Sequence, residues 1–198
     1  HTDEFALAVH IFQLLMGNVH PFNVKVVDGE KRSHPENMLE MNIVNGNCPW
    51  VKTIDGIAIP PGAPYITMLP ARIQTAFRQV FGYNATNAAV FSSQRISADM
   101  WRQLLYMFYQ RAVVAGGDLI RCQVNPEHFY LKNRGCEFCR AKQRYEVFMK
   151  KLKDEQKKSQ NQGATGSSNQ PAAVAQTAAA STGTNTPLWK RVLRGIFG

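Results

Sequence analysis

The chain carries a cluster of thiol and imidazole side chains whose types and spacing suit a metal ion. The cluster consists of Cys122, His128, Cys136 and Cys139, spaced C-x5-H-x7-C-x2-C. Structural zinc takes four thiolate or imidazole ligands in a tetrahedron, and a C-x2-C pair on a tight turn supplies two of them. Gly135 directly precedes the pair and favours such a turn. Because four ligands leave no coordination position open, the spacing predicts a structural zinc site.

Two other interpretations of the cluster need no zinc. The cysteines could be buried thiols beside a chance C-x2-C pair, or the pair could be a redox motif. The surrounding sequence has no βαβ pattern, and three of the four cysteines fall within 18 residues. Both observations favour the metal. Cys48 lies far upstream of the cluster, and we interpret it as a lone thiol.

The elements around these ligands are predicted to be mainly helical. Residues 3–16 are almost continuously apolar, which predicts a helix buried on all sides. Apolar side chains recur at helical spacing in residues 71–82 and 97–115. Residues 140–158 predict a basic helix, whereas residues 18–70 are rich in turns, Pro and Gly and predict irregular structure.

The helix over residues 97–115 is expected to start at Ser97 as its N-cap. One side of this helix is predicted to be buried in the core. The predicted buried stripe consists of Met100, Trp101, Leu104, Leu105 and Phe108.

Two short motifs resemble conserved segments of the protein-kinase C-terminal lobe. Asp3 and Phe5 stand where the family's long central helix begins with Asp-x-Trp, and Gly17 follows Leu-Leu-x as at the end of that helix. Arg95 to Trp101 resembles the Arg-Pro-Ser/Thr-x-x-x-Trp segment near the end of kinase domains, with Ile96 at the Pro position. Residues 1–115 are therefore similar to the C-terminal lobe of bacterial eukaryotic-like Ser/Thr protein kinases in which a Cys/His module follows.

The resemblance implies structural roles for two charged residues. In the family, the Asp at Asp3 is buried and accepts hydrogen bonds from catalytic-loop amides. The Arg at Arg95 pairs with a Glu that would lie upstream of His1, so we expect this chain to fold poorly when isolated. The start at His1, inside a helix, indicates a fragment of a longer protein.

The intact protein, by the same resemblance, would use ATP and Mg²⁺ to phosphorylate Ser or Thr on a protein substrate. The sequence contains no Gly-rich loop, strand Lys, His-Arg-Asp loop or Asp-Phe-Gly motif, so no catalytic residue is expected in this chain. The alternative hypothesis is a non-catalytic adaptor whose helical lobe and zinc module bind a protein partner.

The predicted organisation has four parts. A kinase C-lobe-like helical region over residues 1–115 precedes a Cys/His zinc module with its basic helix over residues 116–158. Residues 159–186 are low in complexity and predict a disordered linker. Residues 187–198 predict a basic amphipathic helix that suits a membrane surface, a partner groove or docking onto the lobe.

The formal net charge of +9 is concentrated in the last third of the chain. Residues 131–158 hold ten basic and four acidic residues, for which a solvated helix face is the plainest interpretation. A nucleic-acid-binding zinc module is disfavoured, because the cluster has a single His where a finger needs two on its helix. Unpaired cysteines and the lack of a long apolar run predict a cytoplasmic protein, with peripheral membrane contact through residues 187–198.

Overall fold

The computed structural model describes residues 2–27, 39–82, 95–114 and 117–163. Residues up to Tyr145 belong to one compact unit, and residues from Glu146 onward belong to a second. The predicted tail over 187–198 and the predicted linker beyond Gly163 lie outside the described residues. The predicted division between residues 115 and 116 stays a prediction.

The described residues are mainly helical, as the sequence predicted. The helices are α1 (Thr2–Leu15), α2 (Leu39–Val44), α3 (Ala71–Phe81), α4 (Ala98–Tyr109) and α5 (Glu137–Gly163). A 3₁₀ turn over Ile66–Met68 precedes α3, and a π-helical turn over Gln110–Val114 continues α4. None of the described helices has the length and apolar character that crossing a membrane requires.

Two short antiparallel ladders complete the described elements. Strand β1 (Lys25–Val26) pairs with β2 (Ile57–Ala58). Strand β3 (Leu119–Arg121) pairs with β4 (Phe129–Leu131), with Ile120 opposite Tyr130. The second ladder forms the hairpin that carries part of the Cys/His cluster.

Aromatic side chains from α1, α3 and α4 form the centre of the core. The Phe12 and Phe77 ring centroids lie 5.1 Å apart in an edge-to-face arrangement, and the Trp101 and Phe77 ring centroids also lie 5.1 Å apart. All three side chains have no exposed surface. Removing one such ring typically costs about 3–5 kcal/mol, so this cluster supplies much of the stability of the helical region.

Helix α3 confirms its predicted apolar stripe, whose members are all buried. They are Ile73, Ala76, Phe77, Val80 and Phe81. Ser97 is the N-cap of α4 as predicted, since its hydroxyl oxygen accepts a hydrogen bond from the Met100 backbone N–H at 3.2 Å.

Three predictions about burial and structure were wrong. Helix α1 is not buried on all sides: His10 is exposed and Leu14 is 79% exposed, because one face packs against α3 and the other faces outward. Met100 is 50% exposed, since the first turn of α4 directs only Trp101 into the core. Residues 37–70 are not wholly irregular, because α2 and β2 form there; each is too short to show a period in the sequence.

Helix α5 is longer than predicted at both ends. It begins at Glu137, three residues before the expected start, and includes Cys139 in its first turn. It continues to Gly163, so the first residues assigned to the linker are helical. Lys and Gln are good helix formers, and both recur through the second half of this helix.

Candidate metal centre

The β3–β4 hairpin positions two of the four predicted ligands. Cys122 directly follows β3 and His128 directly precedes β4, so the strand pairing brings them opposite each other. The Cys122 backbone N–H donates a hydrogen bond of 2.9 Å to the His128 carbonyl. Cys122 and His128 therefore reach the cluster from a single hairpin.

The C-x2-C pair lies at the N-terminus of α5. Gly135 adopts a φ of +71°, a left-handed conformation that glycine takes at little cost, and it turns the chain from β4 into the helix. Cys136 is the residue before Glu137, and its carbonyl accepts a hydrogen bond from the Arg140 N–H at 3.2 Å. Both sulfurs therefore lie at the positive end of a helix dipole, where thiolates are stabilised.

The four ligand atoms converge on one point. All of them lie within 4.8 Å of one another. Cys122 Sγ is 3.6 Å from Cys139 Sγ. The His128 Nδ1 atom is 3.6 Å from the sulfurs of both Cys136 and Cys139.

These separations fit a tetrahedron of metal ligands. With zinc bond lengths of about 2.3 Å to sulfur and about 2.0–2.1 Å to nitrogen, tetrahedral angles put two sulfurs roughly 3.8 Å apart and a sulfur and a nitrogen roughly 3.6 Å apart. Three of the six separations are 3.6 Å and match these edges, all six lie within 4.8 Å, and the cysteines are free thiols. The cluster can therefore hold a metal ion.

Electrostatics act differently on the individual ligands: they favour coordination at Cys122 and His128 and oppose thiolate formation at Cys139. Hydrogen bonds from the Asn125 and Val124 backbone N–H groups lower the pKa of Cys122, in opposition to burial. Burial lowers the pKa of His128 and keeps the imidazole neutral, as a ligand must be. Burial and the neighbouring thiols raise the pKa of Cys139 to about 12, so a divalent cation is what would make this thiol a thiolate.

Asn125 contacts the second ring nitrogen of His128. Its Nδ2 atom lies 3.2 Å from His128 Nε2, and its Oδ1 atom accepts a hydrogen bond of 3.0 Å from the Glu127 N–H. Coordination through Nδ1 leaves the ring proton on Nε2, which then requires an acceptor. Rotation of the Asn125 amide would turn its oxygen toward this proton, at the loss of the hydrogen bond from the Glu127 N–H.

A buried carboxylate joins the cluster to the loop before α3. Glu137 follows Cys136 and is 4% exposed. Its Oε1 atom accepts hydrogen bonds from the Tyr65 N–H at 3.1 Å and from Arg144 Nη2 at 2.7 Å, and its Oε2 atom accepts one from Arg140 Nε at 2.9 Å.

Arg144 and Arg134 extend this connection. Arg144 Nη2 also donates to the Ala63 carbonyl at 2.9 Å, and its guanidinium lies 4.0 Å from the Tyr65 ring centroid. Arg134 donates to the carbonyls of Thr67 and Leu69. The backbone of residues 63–69 is thus held by arginines that flank the metal ligands.

The end of α1 contacts the same region. Gly17 has a φ of +67°, and a Cβ atom there would lie 3.0 Å from Phe138 Cε1. The Phe138 ring lies 5.2 Å from the His128 ring. The glycine thus lets an aromatic side chain pack between the helix end and a metal ligand.

Sequence patterns did not single out Glu137 or Arg144 as site residues. The available signal was local: an acidic residue in the first turn of a basic helix, with arginines three and seven residues later. Tyr65, which donates its N–H to Glu137, lies 72 residues upstream. No pattern in a single sequence connects these two positions.

Asp3 and Arg95, on which the kinase resemblance was based, lie in the first turn of α1 and in the segment before α4. Asp3 is exposed among the described residues. The Arg95 guanidinium lies 4.7 Å from the Phe5 ring centroid, and burial lowers the pKa of Arg95 while Glu4 opposes this shift. The two predicted motifs are therefore brought together in space, although Asp3 itself is not covered by the described residues.

Comparison with known proteins gives no relative: no family model, curated protein or solved structure matches the chain significantly.

Proposed function

We propose that residues 1–115 are the helical C-terminal lobe of a Ser/Thr protein-kinase domain and that the Cys/His cluster is its structural zinc site. The observation that carries the kinase proposal is the stacking of Arg95 on Phe5 at 4.7 Å. The kinase resemblance rests on two segments, one that begins with Asp3-x-Phe5 and one that begins with Arg95. A kinase-like lobe requires these segments to be in contact, whereas two chance motifs would have no reason to meet.

The outward face of α1 supports the same proposal. This helix is apolar in sequence, yet Ala6, His10 and Leu14 are exposed along one side, together with Asp3 at its start. An apolar helix normally buries its full circumference. In a kinase domain the segment that would cover the start of this helix includes the catalytic loop, whose amides donate hydrogen bonds to the Asp.

Phosphoryl transfer then belongs to the intact protein and not to these residues. The sequence has no Gly-rich loop, strand Lys, His-Arg-Asp loop or Asp-Phe-Gly motif, and these are the groups that position ATP and Mg²⁺. In this proposal the chain contributes the scaffold on which those groups are assembled, and the intact protein phosphorylates Ser or Thr on proteins in the cytoplasm.

The test begins with the coding sequence upstream of His1. The proposal expects a strand Lys, a His-Arg-Asp-type loop and an Asp-Phe-Gly-type motif there. In the extended protein, Asp3→Ala should abolish autophosphorylation from [γ-³²P]ATP, whereas Asp55→Ala, in the turn before β2, should leave it unchanged. An upstream sequence without these motifs would refute the kinase proposal and leave the zinc site untouched.

Zinc is proposed because three thiolates and one imidazole with tetrahedral spacing form a donor set that zinc prefers. A site with four protein ligands stabilises the fold and leaves no position for substrate. Atomic emission should find about one zinc per chain. Replacement by Co²⁺ should give the strong visible bands of tetrahedral thiolate coordination, and a folded chain that contains no metal would refute the proposal.

A non-catalytic adaptor is the second candidate. It is favoured by the side chains exposed on α4 and the π-helical turn, where Tyr106, Tyr109 and Val113 are each more than half exposed. Exposed aromatic side chains are enriched in protein interfaces. The same upstream sequence separates the two candidates, because the adaptor needs no catalytic motif.

A further inference from the structure

Two adjoining cavities lie beside the N-terminus of α3. The first, of about 420 Å³, lies among Pro70 and Ala71, the end of α4 with its π-helical turn, and the turn after β4. The second, of about 520 Å³, continues along α3 and α4. Both are lined by Pro70, Ala71, Phe108 and Arg111, so they form one groove. We call it the α3–α4 groove.

The floor of the α3–α4 groove is apolar. In the second cavity it consists of Ile73, Leu104, Met107 and Phe108. Ile73 belongs to the core, whereas Met107 is 44% exposed at the open side. The volume is sufficient for one or two apolar side chains of a partner.

The rim of the groove is strongly basic. Among the described residues that line it, four are cationic and Asp118 is the single acid. The cations are Arg72, Arg111, Lys132 and Arg134. The N-terminus of α3 adds partial positive charge, since Pro70 provides no side-chain cap and the first turn has no acidic residue.

The cations at the rim are available to a partner. Arg111 pairs with Asp118 at 3.2 Å, but the two side chains are 84% and 45% exposed, and such surface pairs are held weakly. Arg134 donates to the backbone carbonyls of Thr67 and Leu69, which are neutral acceptors and carry no full negative charge. Arg72 touches the Met107 sulfur at 3.7 Å, so a cation and an apolar floor residue lie side by side.

We propose that the α3–α4 groove binds an acidic peptide segment of a partner protein through one apolar anchor side chain flanked by carboxylates. Arginine binds carboxylates through two parallel hydrogen bonds. The apolar floor favours burial of an aliphatic side chain, which a peptide can supply and a nucleic acid cannot. The chain's own residues 187–198 are excluded by charge, since they carry Lys190, Arg191 and Arg194 and no acidic residue. The inference holds whether the chain is part of a kinase or an adaptor.

The test measures binding of a fluorescein-labelled peptide, EEDELDEEG, to the full chain purified with zinc, by fluorescence anisotropy at low salt. Replacement of the central Leu by Ser should weaken binding roughly tenfold to hundredfold, since it removes the buried anchor. The double variant Arg72→Glu with Lys132→Glu should weaken binding at least about tenfold.

A matched control variant separates the groove from general charge. Lys150→Glu with Lys151→Glu changes the net charge by the same amount on an exposed face of α5 and should bind the peptide as the unaltered chain does. Thermal melting checks that each variant folds; Arg72→Gln with Lys132→Gln replaces the first variant if it does not.

Three outcomes would overturn the proposal. The first is no anisotropy change at low salt. The second is an equal loss of binding in the groove variant and the control variant. The third is an oligothymidylate of the same charge that binds as tightly and loses affinity in the same groove variant, which would make the surface a general anion site.

Discussion

Glu137 offers the sharpest test of how the metal centre is attached to the helical region. Replacement by Ala removes the acceptor for the Tyr65 N–H, Arg144 and Arg140. Breaking a buried ion pair from one side typically costs about 3–5 kcal/mol, because the remaining charge stays desolvated. Arg140 is 50% exposed and Arg144 is 27% exposed, so water partly replaces the lost carboxylate. We therefore expect a loss of about 3 kcal/mol, at the lower end of that range.

Urea unfolding of the zinc-loaded chain, followed by circular dichroism, measures this loss. Glu137→Gln keeps one acceptor oxygen and should cost less, about 1–3 kcal/mol. Glu146→Ala, at an exposed position of the same helix, should change the free energy of unfolding by less than about 0.5 kcal/mol. If Glu137→Ala were as mild as Glu146→Ala, the carboxylate would not hold residues 63–69, and the reasoning would be refuted.

Three further predictions concern the metal, pH and packing. Cys139→Ser should sharply lower the zinc content measured by atomic emission. Cys48→Ala, whose thiol lies in the core away from the cluster, should retain about one zinc per chain. Equal zinc content in both variants would contradict the ligand assignment. Burial lowers the pKa of His20 below its usual 6.5, and its Nδ1 accepts the Phe22 N–H, so the folded chain binds fewer protons there than the unfolded chain. Stability should therefore fall as the pH drops below about 6.5 toward the lowered pKa, and His20→Asn, which keeps an acceptor, should flatten this part of a urea-midpoint profile against pH; an unchanged profile would argue against a role for His20. Gly17→Ala should destabilise the chain by about 1–2 kcal/mol in the same urea assay, because φ is +67° and the new Cβ meets Phe138 at 3.0 Å, and a neutral result would mean that the ring moves freely.

The metal site could be predicted from the sequence because its chemistry is local. Cys122 to Cys139 span a single hairpin and one helical turn, so spacing alone constrains the geometry. The sulfur–sulfur and sulfur–nitrogen separations of 3.6 Å confirm that the four side chains converge. The proposal of zinc rests on the chemical preference for three thiolates and one imidazole, and not on these distances.

The attachment of the site could not be predicted, because it depends on contacts distant in sequence. Glu137 looked like an ordinary acidic residue at a helix start, and its burial follows from the position of Tyr65, 72 residues away. For Leu14 the error runs the other way. The apolar sequence of α1 predicted that this side chain is buried, but it is 79% exposed. In both cases the tertiary surroundings, and not the local pattern, decide the environment.

The burial of Cys48 gives the chain a built-in chemical reporter. This thiol has no exposed surface, so alkylating reagents cannot reach it in the folded state. Burial also raises its pKa to about 12, so little of the reactive thiolate forms. The cluster thiols differ from one another: Cys122 is 7% exposed, Cys136 and Cys139 are half-buried, and burial also raises the pKa of Cys139 to about 12. Intact mass after brief iodoacetamide treatment would therefore read two events separately: alkylation within the cluster, at Cys136 first, when metal leaves a folded chain, and alkylation of Cys48 only when the core opens.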